Sequence, residues 1–281
     1  MKHNISIVAI DTAYHKLTAK AIELAVQTTG IDKIIVISDQ QIYSGARHVP
    51  IDAITKSQYN ELSFKGLHDI VETDFVMFVQ HDGMPVNMEN WDDAYLEHDY
   101  IGAIWPWLPE GKNVGNSGFS IRSRKLIKAC QNLNFSPADL TEPQADDVLI
   151  CRHYRALLEG QGLTWASSSL AQRFSTEIPG KNYQTFGFHG EACLPYYLDD
   201  DHMEFYLLNM SPKMWQDMYR IGSMFLGLYS TERWDHLGLL VEQGILADAE
   251  FKQKLVEATD KRFHNLSDIN EHQLRDFLIN Y

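Results

Sequence analysis

Apolar residues in the first third of the chain fall into short, nearly continuous blocks, each leading into an acid and separated by stretches of helical spacing. Ile5 to Ile10 is nearly all apolar and ends at Asp11, the pattern of a strand buried on both faces. Lys16 to Thr28 then sets Leu17, Ile22, Leu24 and Ala25 at helical spacing, and Gly30 closes the helix. A second buried strand is predicted over Lys33 to Ser38, leading into Asp39. A second helix is predicted over Ser57 to Glu72, with Tyr59, Leu62, Leu67 and Ile70 on one side. A third strand, Asp74 to Gln80, runs into His81-Asp82-Gly83. Strands alternating with helices imply a parallel sheet covered on its faces, and such sheets collect ligands at the carboxyl ends of their strands. Asp11, Asp39 and Asp82 belong at that edge.

The middle of the chain is less regular. Short strands are predicted at Tyr100 to Ile104, Gly118 to Ile121 and Leu170 to Phe174. A helix starts near Ser123, a second covers Asp146 to Glu159, and Phe186 to Gly190 reads as a loop. From Asp199 the pattern turns helical, and Met203 to Tyr281 reads as helices with turn signals at Ser211-Pro212 and Gly244. This gives an α/β domain over residues 1–198 and a helical C-terminal extension over residues 199–281. The extension can pack on the core, pair with a second copy into a homo-oligomer, or cover a binding site. Tyr206, Met214, Trp215, Phe225, Leu226 and Trp234 look like buried seams, which favours packing.

Composition narrows the partners. Asp and Glu (38) outnumber Lys and Arg (24), a formal charge of −14 that repels nucleic-acid backbones and gains little from an anionic membrane. A diphosphate ligand would need local help, most simply a divalent cation. The three cysteines, Cys130, Cys151 and Cys193, lack CxxC spacing and suit buried thiols in a reducing compartment. The first eleven residues turn polar too soon for a signal peptide, and Phe75 to Val79 is too short for a transmembrane segment. A cytoplasmic location is the expectation.

Four segments can carry chemistry. In Phe75 to Gly83 a hydrophobic strand delivers Asp82 to the sheet edge, where Gly83 permits a tight turn. A carboxylate so placed can hold Mg2+ or Mn2+ beside phosphate oxygens, or be no more than an Asp-Gly turn. In Val114 to Arg122 two glycines around Asn116 and Ser117 let backbone approach a ligand, or serve as a loop, and Arg122 and Arg124 can reach phosphate or stay solvated. In Glu142 to Val148 the pair Asp146-Asp147 suits a helix start through the macrodipole alone, and equally suits a general base. In Phe186 to Gly190 the imidazole of His189 can complete a metal shell or pack under aromatics. Trp105 and Trp107 offer flat faces for a sugar ring, or fill the core.

Taken in order, these segments resemble the GT-A glycosyltransferases. Gln80-His81-Asp82 resembles the Asp-x-Asp metal motif with its first acid replaced by Gln, and Gly115 to Arg122 resembles the following GNGGFSLR segment. Asp146-Asp147-Val148 resembles the Glu-Asp-Val that opens a later helix, and Phe188-His189 the late loop that supplies a metal histidine. The likeness covers about residues 5–190 and is similar, more narrowly, to a family of unknown function classed as glycosyltransferase-like. It implies a Rossmann-like mixed, mostly parallel sheet flanked by helices, and transfer from a UDP- or GDP-linked nucleotide-sugar donor to a glycan or other hydroxyl acceptor. Asp82 and His189 would hold Mn2+ or Mg2+, and Asp147, with Asp146 as rival, would be the base. Asp11, Asp39, Gln80, His81, Asn116, Ser117 and Gly118 would line the donor, and Trp105 and Trp107 the acceptor. The amide of Gln80 is at best a neutral ligand, so that either metal affinity is lower or the metal rides in with the nucleotide, and a weakly active or inactive member is left open. A nucleotidyltransferase would need a glycine-rich basic loop after the first strand, where this chain has Asp11-Thr12-Ala13-Tyr14-His15. A sugar-binding scaffold that kept the fold is the other rival.

Overall fold

The computed structural model describes residues 4–134, 145–178 and 184–260. The chain divides into two compact units, Met1–Glu177 with Gln184–His189, and Ile178–Tyr183 with Gly190–Tyr281.

The first unit opens with β1 (Ile5–Ile10), α1 (His15–Thr29), β2 (Ile34–Ser38), β3 (Arg47–Pro50), α2 (Lys56–Lys65) and β4 (Phe75–Phe78). Every residue of β1 and β2 is buried, Ser6 and Ser38 included, as nearly continuous apolar runs imply for strands covered on both faces. Asp11 links β1 to α1: its Oδ1 accepts from the amides of Ala13 and Tyr14 at 2.9 and 2.8 Å, turning the chain into the helix. Gly30 ends α1 in the left-handed conformation (φ 67°). α2 carries a capping box between Thr55 and Gln58.

The unit continues with β5 (Gly83–Pro85), β6 (Tyr100–Ile101), β7 (Ser120–Ser123), α3 (Arg124–Gln131) and α4 (Asp146–Val148). A π-helical turn, Leu149–His153, leads into α5 (Arg155–Gly160), α6 (Ser168–Phe174), β8 (Ser175–Thr176) and β9 (Gly187–His189). Six strands form a mixed sheet in the order β3-β2-β1-β4-β7-β6, parallel from β3 to β4, with β7 alone reversed and so antiparallel to both β4 and β6. A three-stranded sheet, β5-β9-β8, sets Gly83 opposite His189. The main core joins Val8, Ile10, Ile37 and Phe78 from the sheet to Leu67, Val71 and Ile127.

An aromatic cluster supports the small sheet. Phe119 stacks on Phe174 at 4.8 Å, and Phe186 and Tyr95 close around them. Gly187 fits there only without a side chain, because a Cβ would lie 2.3 Å from the Phe119 ring and 2.5 Å from the Met84 carbonyl. Gly187→Ala is expected to cost about 1–3 kcal/mol through overpacking, read as a lowered urea midpoint.

In the second unit α7 (Leu194–Tyr197), α8 (Asp200–Leu208), α9 (Met218–Ser230), α10 (Trp234–Ala247) and α11 (Phe251–Asp260) follow one another. Asp199 caps α8 by accepting from the His202 amide at 2.9 Å. Gly244 lets α10 approach α11, since a Cβ there would stand 2.2 Å from the Phe251 ring. Tyr206, Met214, Trp215, Phe225 and Leu226 are buried as expected, but Trp234 is 46% exposed. Among the described residues no helix is long and apolar enough to cross a membrane.

Several sequence expectations need correction. Leu170 to Phe174 is the end of a helix, because Ser167 accepts from the Leu170 amide and caps it. Phe186 to Gly190 contains a strand, its alternation masked by two glycines. The second helix stops at Lys65 rather than Glu72, at Gly66. Asp146 to Glu159 is broken by the π turn. Glu142 to Gln144, and the tail beyond residue 260, lie outside the described residues.

Candidate functional site

Beyond β4 the chain makes a tight turn in which Gln80 and Gly83 exchange backbone hydrogen bonds of 2.9 and 3.1 Å. His81 and Asp82 sit at its tip, 8% and 2% exposed. The Tyr14 ring stacks on His81 with centroids 4.3 Å apart. The register of β5 with β9 brings His189 beside this turn: its Nε2 lies 3.7 Å from Asp82 Oδ1, and His81 Nδ1 lies 3.5 Å from the same oxygen. Two glycines make room for the His189 ring. A Cβ on Gly118 would fall 2.0 Å from Nε2, and one on Gly83 2.8 Å from Cδ2. The glycines singled out in the sequence thus form a socket for the imidazole.

Asn116 holds the far side of that ring, its amide 2.8 Å from His189 Nδ1, from a left-handed conformation (φ 61°) of the kind asparagine tolerates. As placed, the amide nitrogen faces the ring and Asn116 Oδ1 has no hydrogen-bond partner among the described residues. A half-turn of the amide lets Oδ1 accept from Nδ1–H and leaves the Nε2 lone pair directed to the Asp82 side. An oxygen and an imidazole nitrogen on one side of a glycine-lined floor fit a divalent cation of the Mn2+ kind. Glu177 Oε1 lies 3.8 Å from His189 Nδ1, a contact with no signal in the sequence.

Asp147 is half-buried, and its Oδ1 accepts from the Val148 amide at 2.7 Å. Burial, then the charges of Asp146 and Glu177, push its carboxyl up to about 6, against the opposing pull of the Val148 amide and His189. A carboxylate of that basicity is suited to accept a proton near neutral pH.

Asp146 is placed differently. It is 1% exposed and bound to Arg122 Nη2 at 2.7 Å, to Ser63 Oγ at 2.6 Å and to Ser117 Oγ at 2.7 Å. Arg122 is not solvated or phosphate-facing, as its sequence allowed. It is 1% exposed, also donates to the Ser63 carbonyl at 3.0 Å, and lies 4.0 Å over the Phe78 ring. Burial opposes its charge, but Asp146, Tyr100 and Tyr59 together raise its pKa above the ordinary value.

Asp11 and Asp39 directly follow β1 and β2. Asp11 uses one oxygen in the turn into α1, and its Oδ2 has no hydrogen-bond partner among the described residues. Asp39 is paired with His15 at 2.7 Å. Gln80 donates to the Tyr59 hydroxyl and so ties the turn to α2. Trp105 is buried with its ring against Gly115, whereas Trp107 is 63% exposed. The three cysteines are buried, and burial pushes the thiols of Cys130 and Cys151 up to about 12.

A family model described as protein of unknown function (DUF5672) matches residues 48–189. No curated protein matches the chain. Among solved structures the chain is similar to glucosyl-3-phosphoglycerate synthase from Mycobacterium tuberculosis, crystallised with Mn2+, UDP and phosphoglyceric acid, at 16% identity and a TM-score of 0.33, over 44% of this chain and 57% of that one. It is similar to the glycosyltransferase GlyE of Streptococcus pneumoniae at 12% identity and a TM-score of 0.43, over 70% and 55% of the two chains. It is also similar to the mannosyltransferase PcManGT of Pyrobaculum calidifontis, in complex with GDP-Man and Mn2+, at 8% identity and a TM-score of 0.42, over 99% and 79%. The match spans little more than half the length of the first two proteins. These likenesses concern the path of the chain, and the ligands belong to those proteins.

Proposed function

Starting from a chain that belongs to the DUF5672 family of proteins of unknown function, we propose that it transfers a sugar from a UDP- or GDP-linked donor to a hydroxyl acceptor, with inversion, using Mn2+ or Mg2+. One observation carries the reading: Asp82, from the turn after β4, and His189, from β9, come within 3.7 Å in a socket that two glycines keep open. Asp82 and His189 would hold the cation, which supplies Lewis-acid neutralisation of the charge on the departing diphosphate.

The chain's own groups account for the rest. The loop of Asn116, Ser117 and Gly118 lines the donor sugar, and Asp11 and Asp39 approach the nucleoside from the ends of β1 and β2. Asp147 takes the proton of the acceptor hydroxyl as that oxygen bonds to the anomeric carbon and the bond to the phosphate oxygen breaks. Trp107 is exposed and free to meet an acceptor ring.

Incubation with a panel of UDP- and GDP-sugars and Mn2+ should release nucleotide. Asp82→Ala should abolish metal-stimulated nucleotide binding, and Asp147→Asn should spare binding while transfer is lost. No release together with no metal-dependent nucleotide binding would remove the proposal, and equal losses of binding in both variants would overturn the two roles.

The engagement of Gln80 with Tyr59 favours one second reading, a sugar-nucleotide-binding protein without turnover, because the first acid of the metal motif is missing. In that case the unaltered chain binds nucleotide and releases none, and Asp147→Asn binds equally.

A further inference from the structure

A buried ion pair is seldom kept for stability alone, because desolvation offsets most of the attraction and an apolar pair of the same volume does as well. The pair of Arg122 and Asp146 has a further mark against a purely stabilising role: Arg122 Nε is buried without a hydrogen-bond partner among the described residues. Its geometry joins separate pieces of the chain. Asp146 accepts from Ser63 on α2, from Arg122 on β7 and from Ser117 in the loop before β7. The next residue back from Ser117 is Asn116, whose amide lies 2.8 Å from His189 Nδ1, and His189 Nε2 faces Asp82 at 3.7 Å. The next residue on from Asp146 is Asp147. One anchored carboxylate therefore sits one residue from the candidate base and two hydrogen bonds from the histidine of the candidate metal socket.

We propose that Arg122 and Asp146 are positioning residues, and that Asp146, acting through Ser117 and Asn116, sets the orientation and ring tautomer of His189 while it fixes the start of α4 that carries Asp147. The functional meaning of this rests on the glycosyltransferase reading, but the geometry does not. Asp146 is thereby removed as a rival to Asp147, since its two oxygens are already taken by three donors. A hydrogen-bonded partner behind a metal histidine commonly governs affinity by about 10–100-fold, so the outermost link of this chain is expected to lie at the low end.

The test uses the full chain with Ser117→Ala, which breaks the link between Asp146 and the loop but leaves the ion pair in place, and Ser117→Thr, which restores a hydroxyl. Two quantities are read: affinity for Mn2+ alone, by electron paramagnetic resonance of free Mn2+, and the imidazole 15N shifts of His189 without metal at one fixed pH. Ser117→Ala should weaken Mn2+ about tenfold and move the His189 shifts toward mixed tautomers, and Ser117→Thr should restore both. A Ser117→Ala protein with unchanged melting, unchanged Mn2+ affinity and unchanged His189 shifts overturns the proposal. If the unaltered chain binds no Mn2+ yet the His189 shifts respond to Ser117→Ala, the metal reading fails and the positioning role stands.

Discussion

Arg122→Met should destabilise the protein by about 3–5 kcal/mol, the cost of leaving one member of a buried ion pair uncompensated. Asp146 would then keep two hydroxyl donors, from Ser63 and Ser117, and lose its cationic partner at 2.7 Å, while the wild-type site leaves it 1% exposed. Methionine preserves most of the volume over the Phe78 ring, so the loss reports charge rather than a cavity. The double variant Arg122→Met, Asp146→Leu should recover part of that loss. Recovery stays incomplete because the hydroxyls of Ser63 and Ser117 would lose their acceptor. Urea unfolding of the two single variants and the double variant gives the coupling directly. A single-variant cost below about 1 kcal/mol would mean that water reaches the pair.

The second large effect belongs to Asp147, and it has opposite signs in activity and in stability. Loss of a general base typically costs about 10²–10⁴-fold in rate, so Asp147→Asn should lose transfer by that factor. The unaltered protein's rate should rise with pH through about 6, the value to which burial and then Asp146 push this carboxyl. Folding responds in the other direction. A carboxyl raised from 3.8 to about 6 binds its proton more tightly in the folded than in the unfolded chain. Its stabilising contribution is complete below pH 3.8 and lost as pH rises through about 6. Asp147→Asn should therefore stabilise the fold at pH 8, by at most about 3 kcal/mol and less to the extent that water screens the half-buried group. At pH 3.5 the variant and the parent should melt alike. A variant less stable than its parent at pH 8 would show that the carboxylate is held by favourable contacts instead.

The strands with the least ambiguous pattern are legible in the sequence alone. β1, β2 and β4 are nearly continuous apolar runs, short and rich in branched or aromatic residues, the pattern that burial on both faces favours. β3 was not legible, because Arg47-His48-Val49-Pro50 sits at the margin of the sheet and has one branched apolar residue. Leu170 to Phe174 misled because five residues with apolar ends fit a strand as well as one helical turn, and the deciding feature was the Ser167 cap upstream. At the site, Asp82, His189 and the 115–118 loop were each visible as types of residue. Their meeting depends on the pairing of β5 with β9, which no local pattern encodes. Asp146 and Asp147 are chemically identical neighbours, and only tertiary structure separates one locked by three donors from one with a raised carboxyl pKa. Arg122 shows the same limit: an arginine near a strand end usually meets water, and nothing in its sequence neighbours signals the buried carboxylate that it meets from its place on β7.

The two border strands of the six-stranded sheet have a consequence for how the folded protein behaves in crowded solution. Unpaired strand edges recruit other chains, and here each is blunted in its own way. β3 ends at Pro50, which has no amide hydrogen to offer, and Arg47 sends its guanidinium across to the Ile70 carbonyl at 2.7 Å. β6 is only two residues long, and Trp165 bridges to Tyr100 along its outer side. With neither rim presenting a long ladder of free donors and acceptors, concentrated samples should resist the edge-to-edge stacking that seeds fibrils.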